Sequence, residues 1–123
     1  MAELFLVLAA VGIVSALGLV VPLLPPEWLV DAGFWVTAAG FALGLPTSMG
    51  WHLKLRASLL RSGRLPARWW LRPVSLHASL APGERAEVLV WFYAGGVGFA
   101  LACAGCLLIS AGVVAAAVRA GVL

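Results

Sequence analysis

Charged side chains are missing from three stretches of this chain, Leu4–Pro26, Ala32–Trp51 and Val88–Val118, which are 23, 20 and 31 residues long. A hydrocarbon layer of about 30 Å is crossed by about 20 apolar residues in a helix. Each stretch is long enough to span it. The pattern therefore predicts an all-α integral membrane protein with three transmembrane helices, the second and third of them long and joined by a basic cytoplasmic loop. The whole chain, 1–123, reads as a single transmembrane domain. Its expected spans are 4–24, 32–51 and 88–118, with a basic segment at 52–87.

Local signals refine the boundaries. Pro22, Pro25 and Pro26 end the first run, because proline cannot continue a helix and restrains the residue before it. The first run lacks the positive leading segment of a signal peptide, since the chain begins Met1-Ala2-Glu3, so it is expected to be retained. Trp28 suits the outer interface. The second helix is expected to start after Asp31, a good N-cap, and to kink at Pro46. Trp51–Ser62 reads as further helix, with Trp51, Leu55 and Leu59 on one face and a stop at Gly63 and Pro66. Arg64–Leu80 is expected to be an irregular loop pressed on the bilayer. The third helix should open at Pro82, a first-turn proline, with Glu84 and Glu87 near its positive end. From Pro82 to Val118 it would measure about 55 Å, so it must tilt, break near Gly95-Gly96 or protrude.

Composition strengthens the membrane reading. Hydrophobic residues are 63% of the chain and charged residues 11%, against about 45–50% and about 25% in soluble domains. The residues outside the three runs are too few to hide them from water. Charge then sets an orientation. Seven of the eight basic residues, Lys54, Arg56, Arg61, Arg64, Arg68, Arg72 and Arg85, lie between the second and third runs, and Glu27 and Asp31 occupy the first loop. The positive-inside rule puts the basic segment in the cytoplasm, the N-terminus inside, the Pro25–Asp31 loop outside and the C-terminus outside. The excess of arginine over lysine, with abundant alanine, glycine, leucine and valine, points to a bacterial cytoplasmic (inner) membrane.

Two features suggest binding surfaces. Small residues recur at four-residue spacing: Gly40, Gly44 and Ser48 in the second run, and Ala94, Gly98, Ala102, Cys106 and Ser110 in the third. In lipid, helices associate through close backbone approach, which small residues permit. Gly40, Gly44, Gly98, Ala102, Cys106 and Ser110 are therefore expected at a helix-packing or partner interface. It lies either within one three-helix bundle or against another chain. The second feature is the basic segment, where Arg56, Arg61, Arg64, Arg68 and Arg72 are interleaved with Trp69 and Trp70. Anionic lipid headgroups attract such a segment by about 1 kcal/mol per base. Nucleic acid is not expected to bind, because a short tethered loop cannot track a duplex.

The remaining chemistry is sparse. No acid, base or histidine lies inside a predicted span, which argues against a proton-coupled transporter or pump. His52 and His77 are not placed as paired haem ligands, no further ligands at useful spacing complete a metal site, and no cofactor is expected. Cys103-x-x-Cys106 sits in an apolar run without a nearby cation to favour a thiolate. Gly95–Gly98 lacks the lysine of a phosphate loop.

In helix count and size the chain is similar to small accessory subunits of bacterial membrane complexes, a likeness of architecture that assigns no residue a role. The first expectation is a non-catalytic accessory or assembly subunit, or a self-associating one, with membrane lipids and other subunits or its own copies as partners. The second is a small inner-leaflet enzyme or binding protein for phosphorylated lipids. There the five arginines would hold phosphate, with His52, His77 or Glu84 as acid–base groups. The third is a homo-oligomeric channel.

Overall fold

The computed structural model describes residues 8, 11–13, 15, 16 and 18–123, and these are all-helical with no strand. Two long helices dominate, α1 at Pro26–Arg61 and α2 at Pro82–Arg119, of 36 and 38 residues. Both are long and apolar enough to cross a membrane. The expected span at 4–24 lies in part outside the described residues. Its described residues up to Val20 are helical and lead into a 3₁₀ turn at Val21–Leu23.

α1 begins earlier than the Asp31 cap predicts. The Pro25 carbonyl accepts the N–H groups of Trp28 and Leu29 at 3.1 and 3.3 Å, which closes a turn before Asp31 is reached. Pro26 takes the first helical position, where its missing N–H costs nothing. Asp31 is thus inside the helix rather than its N-cap, and most of the expected outer loop is helix. Pro46 lies inside α1 without ending it. The helix stops where Gly63 and Pro66 predict. Gly63 takes a positive φ of 66°, and the Arg64 N–H turns back to the Leu59 carbonyl at 3.0 Å.

The connection is more ordered than expected. It forms 3₁₀ turns at Trp69–Leu71 and Val74–Ser79. The Ser75 and Ser79 hydroxyls donate to the carbonyls three residues back, at 2.8 and 2.7 Å. α2 opens at Pro82 as predicted and runs without a break through Gly95-Gly96.

The chain divides into two compact units. One comprises Val36–Cys103, the other Met1–Trp35 with Ala104–Leu123. In the first, α1 and α2 meet through small residues over part of their length. A Cβ placed on Gly40 would lie 2.7 Å from the Gly98 carbonyl oxygen, and one on Gly98 would lie 2.9 Å from the Gly40 carbonyl oxygen. Toward the connection the same contact is made by large side chains. Trp51, Leu55, Leu59, Leu80 and Val88 form a buried cluster, flanked by Leu65, Leu76, Trp91 and Phe92. In the second unit Gly33 packs on Gly105 and Ile109, and Gly112 on Pro26, Leu29 and Val30.

The inward positions recur every seven residues. On α2 of the unit Val36–Cys103 they are Val88, Gly95 and Ala102 along one line, and Trp91 and Gly98 along another; in the other unit Gly105 and Gly112, seven apart, are buried and Ile109 is half-buried. On α1 of the unit Val36–Cys103, Gly40 and Thr47 form one line, and Thr37, Gly44, Trp51 and Ser58 the other. A seven-residue repeat keeps a seam facing its neighbour. The four-residue ladder behaves differently. Four residues turn a helix by about 400°, so each step drifts about 40°. Gly98 and Ala102 lie on the seam, but Cys106 and Ser110 have rotated out and are exposed.

Candidate functional site

The polar chemistry of the unit Val36–Cys103 gathers where α1, the 3₁₀ turns and the start of α2 meet. Trp51 is its centre, carried inward by the α1 seam. The indole Nε1–H donates to His77 Nε2 at 3.0 Å. An indole nitrogen only donates, so this nitrogen of His77 is unprotonated and the imidazole carries its proton on Nδ1. Phe92 packs on both rings, with centroids 5.1 Å from Trp51 and 5.4 Å from His77. His52 lies over Trp51 at 4.4 Å and edge-on to Trp69 at 6.2 Å.

Burial, and secondarily the Arg85 guanidinium, hold the His77 imidazole below its usual range. Arg85 Nε also donates to the His77 carbonyl at 2.9 Å. Because the folded pKa lies below the unfolded value of 6.5, the stabilisation is complete above about pH 6.5 and is lost as pH falls through the folded pKa. Protonation also removes the acceptor that Trp51 uses. The stability of the wild-type chain in detergent should therefore drop between pH 7.5 and pH 5, with the Trp51 indole N–H resonance shifting in step. A His77→Gln variant keeps an acceptor and should lose the pH dependence. Matching profiles for the two chains would refute this role.

The basic segment falls into two groups. Lys54 is paired with Glu87 and sits 5.7 Å from the Trp91 ring centroid. Both partners of that pair are well exposed, so it contributes little. Arg64 Nη1 donates to the Ser79 carbonyl at 2.9 Å, and Arg85 to His77 as above. Arg61 lies in the field of Glu87. Lys54, Arg64 and Arg85 are thus used inside the fold. Arg68 and Arg72 are different. They line one open cavity of about 270 Å³, together with Pro66, Trp69, Leu71, Ser75 and Leu76. Among the described residues neither guanidinium has an acidic or hydrogen-bonding partner. Arg56 is exposed on α1.

The candidate acid–base groups are not brought to this cavity: His52, His77 and Glu84 are absent from its lining. Trp70 is 62% exposed, while Trp69 is half-buried. Of the predicted packing residues, Gly40, Gly44, Gly98 and Ala102 meet one another. Cys106 and Ser110 do not join them, and the Ser110 hydroxyl donates to the Cys106 carbonyl at 2.9 Å. Cys103 and Cys106 are exposed free thiols. Among the described residues, no three histidine, cysteine, aspartate or glutamate side chains form a metal-binding group.

In the other unit an open cavity of about 910 Å³ is lined by Glu27, Asp31, Phe34, Val113 and Arg119 among others. Arg119 Nη2 donates to the Leu24 carbonyl at 3.2 Å. Sequence reasoning missed Gly33, Gly95, Gly105 and Gly112 as seam residues. The signal that finds them is the seven-residue recurrence, which a search for four-residue pairs passes over.

No protein-family model, curated protein or solved structure matches this chain.

Proposed function

We propose that the chain is a small non-catalytic integral membrane protein that acts as an accessory or assembly subunit of a larger membrane complex. One observation carries this reading. In their most apolar windows α1 and α2 are only 22% and 17% buried within the chain. The core helix of a water-soluble protein is mostly covered by its own fold. Here Phe34, Trp35, Phe41, Leu45, Val97, Phe99 and Leu107 point outward, each more than half exposed. Such a surface calls for lipid or for another apolar protein face.

The change of seam residues along α1 and α2 supports the same reading. Where glycines meet glycines, association needs no hydrophobic force, as in lipid. At Trp51, Leu55 and Leu59 the seam turns to large apolar side chains, as expected where water drives burial. We place the basic segment 52–87 at the cytoplasmic face of a bacterial inner membrane, with the C-terminus outside and the 4–24 run as a third span. That none of His52, His77 and Glu84 lines the Arg68–Arg72 cavity favours a binding role over an enzymatic one.

The test is gentle detergent extraction from the native membrane, followed by identification of what travels with the chain. A reproducible heterologous membrane partner is the expected result. A homogeneous preparation of this chain alone would count against an accessory role. Before extraction, a cysteine placed at Ser62 of a chain whose Cys103 and Cys106 are replaced by alanine should react with an impermeant thiol reagent only in inverted vesicles; labelling in intact cells would reverse the orientation.

A further inference from the structure

We infer that the cavity around Arg68 and Arg72 binds the phosphomonoester headgroup of a membrane lipid. The proposal rests on the membrane placement given above and narrows the basic segment from a diffuse charge to one site. Of the seven bases at 52–87, Lys54, Arg64 and Arg85 are held by internal partners, Arg61 lies in the field of Glu87, and Arg56 is exposed on α1, outside the turns. Arg68 and Arg72 remain, four residues apart on either side of the Trp69–Leu71 turn, and they line the same cavity. No acidic side chain lines it. Two guanidiniums without an internal counter-charge match a dianion better than a monoanion, and their planar donor arrays suit phosphate oxygens. The volume of about 270 Å³ accepts a phosphate group and its ester oxygen but not a whole lipid.

The surroundings select a lipid over free phosphate. Trp70, Leu71 and Val74 are exposed at 62%, 56% and 56% in the same turn and the next. An exposed tryptophan and two aliphatic side chains beside cationic groups suit the headgroup boundary, where an indole is favoured and acyl chains begin. Trp69 is half-buried, lines the cavity and stacks edge-on against His52. It fixes the turn to α1. The Ser75 hydroxyl donates to the Arg72 carbonyl at 2.8 Å and so holds the backbone of Arg72 rather than serving the ligand.

The test uses the full chain in mild detergent, with native mass spectrometry counting bound lipid. The probes are dioctanoyl phosphatidic acid, dioctanoyl phosphatidylglycerol and inorganic phosphate at matched concentrations. One phosphatidic acid per chain is expected, retained at least tenfold better than phosphatidylglycerol and not displaced by inorganic phosphate. The double variant Arg68→Gln/Arg72→Gln should lose that retention at least tenfold. The double variant Arg56→Gln/Arg61→Gln removes the same charge nearby and should keep it. Equal loss in both variants, equal retention of phosphatidylglycerol, or displacement by inorganic phosphate would each overturn the site. Membrane insertion is scored separately, by resistance to alkaline carbonate extraction. A wild-type chain released by carbonate would sink the membrane placement, whereas an inserted chain without selective retention sinks the site alone.

Discussion

Replacing Gly98 by leucine is expected to force α1 and α2 apart within the unit Val36–Cys103 and to cost about 3 kcal/mol or more. Overpacking a well-filled contact costs about 1–3 kcal/mol when side chains can give way. Here they cannot, because a Cβ at Gly98 meets the Gly44 backbone and the Gly40 carbonyl oxygen, the latter at 2.9 Å. Backbone atoms in two continuous helices move only if the helices move. Gly96 supplies the control. It lies on the same helix two residues away, and a Cβ there meets nothing within 4 Å. Gly96→Leu should stay within about 0.5 kcal/mol of the parent, as exposed substitutions do. Midpoints of denaturant unfolding in a fixed detergent would compare the three chains. Equal midpoints for the two leucine variants would mean that the glycine seam does not hold these helices together.

Leu55→Ala should be nearly as damaging for the opposite reason, a void rather than a clash. Leu55 and Leu59 are both 0% exposed and pack among Trp51, Leu80 and Val88. Removing a buried leucine side chain costs about 2–5 kcal/mol, through lost transfer energy and an unfilled cavity. Leu60, one residue beyond Leu59, is 50% exposed, and Leu60→Ala should cost under about 1 kcal/mol. The same unfolding assay separates them. If Leu60→Ala proved as destabilising as Leu55→Ala, the cluster would not be the core of this unit. The two experiments also contrast the two halves of the seam. One is set by how closely backbones approach, the other by how much apolar volume is filled.

Much of the helical plan was legible because long uncharged runs and helix punctuation are local properties. Pro82 at the start of α2 and Gly63 at the end of α1 act through a residue's own φ, so a reader of residues finds them. Asp31 misled because capping depends on which carbonyl closes the first turn. That turn was closed by the Pro25 carbonyl, six residues before the Asp31 cap after which the helix was expected to start. The connection 64–80 carries two prolines and two tryptophans and reads as irregular. It folds into 3₁₀ turns because Leu76 and Leu80 have a cluster to pack on, and that cluster comes from two distant helices.

The division among the arginines was not legible at all. Arg64 and Arg72 lie in the same connection, each beside a leucine, yet one donates to the Ser79 carbonyl and the other lines an open cavity. Nor was the role of His77, which depends on an indole 26 residues away.

Sequence by itself determined that this chain is helical and which of its stretches can tolerate oil, because backbone hydrogen bonding and side-chain transfer energy belong to each segment alone. Tertiary structure decided which glycines are contacts, which cations are already paired, and where small-residue packing gives way to large. Those properties exist only between helices, where a few degrees of rotation decide whether a given side chain faces its neighbour or the surroundings.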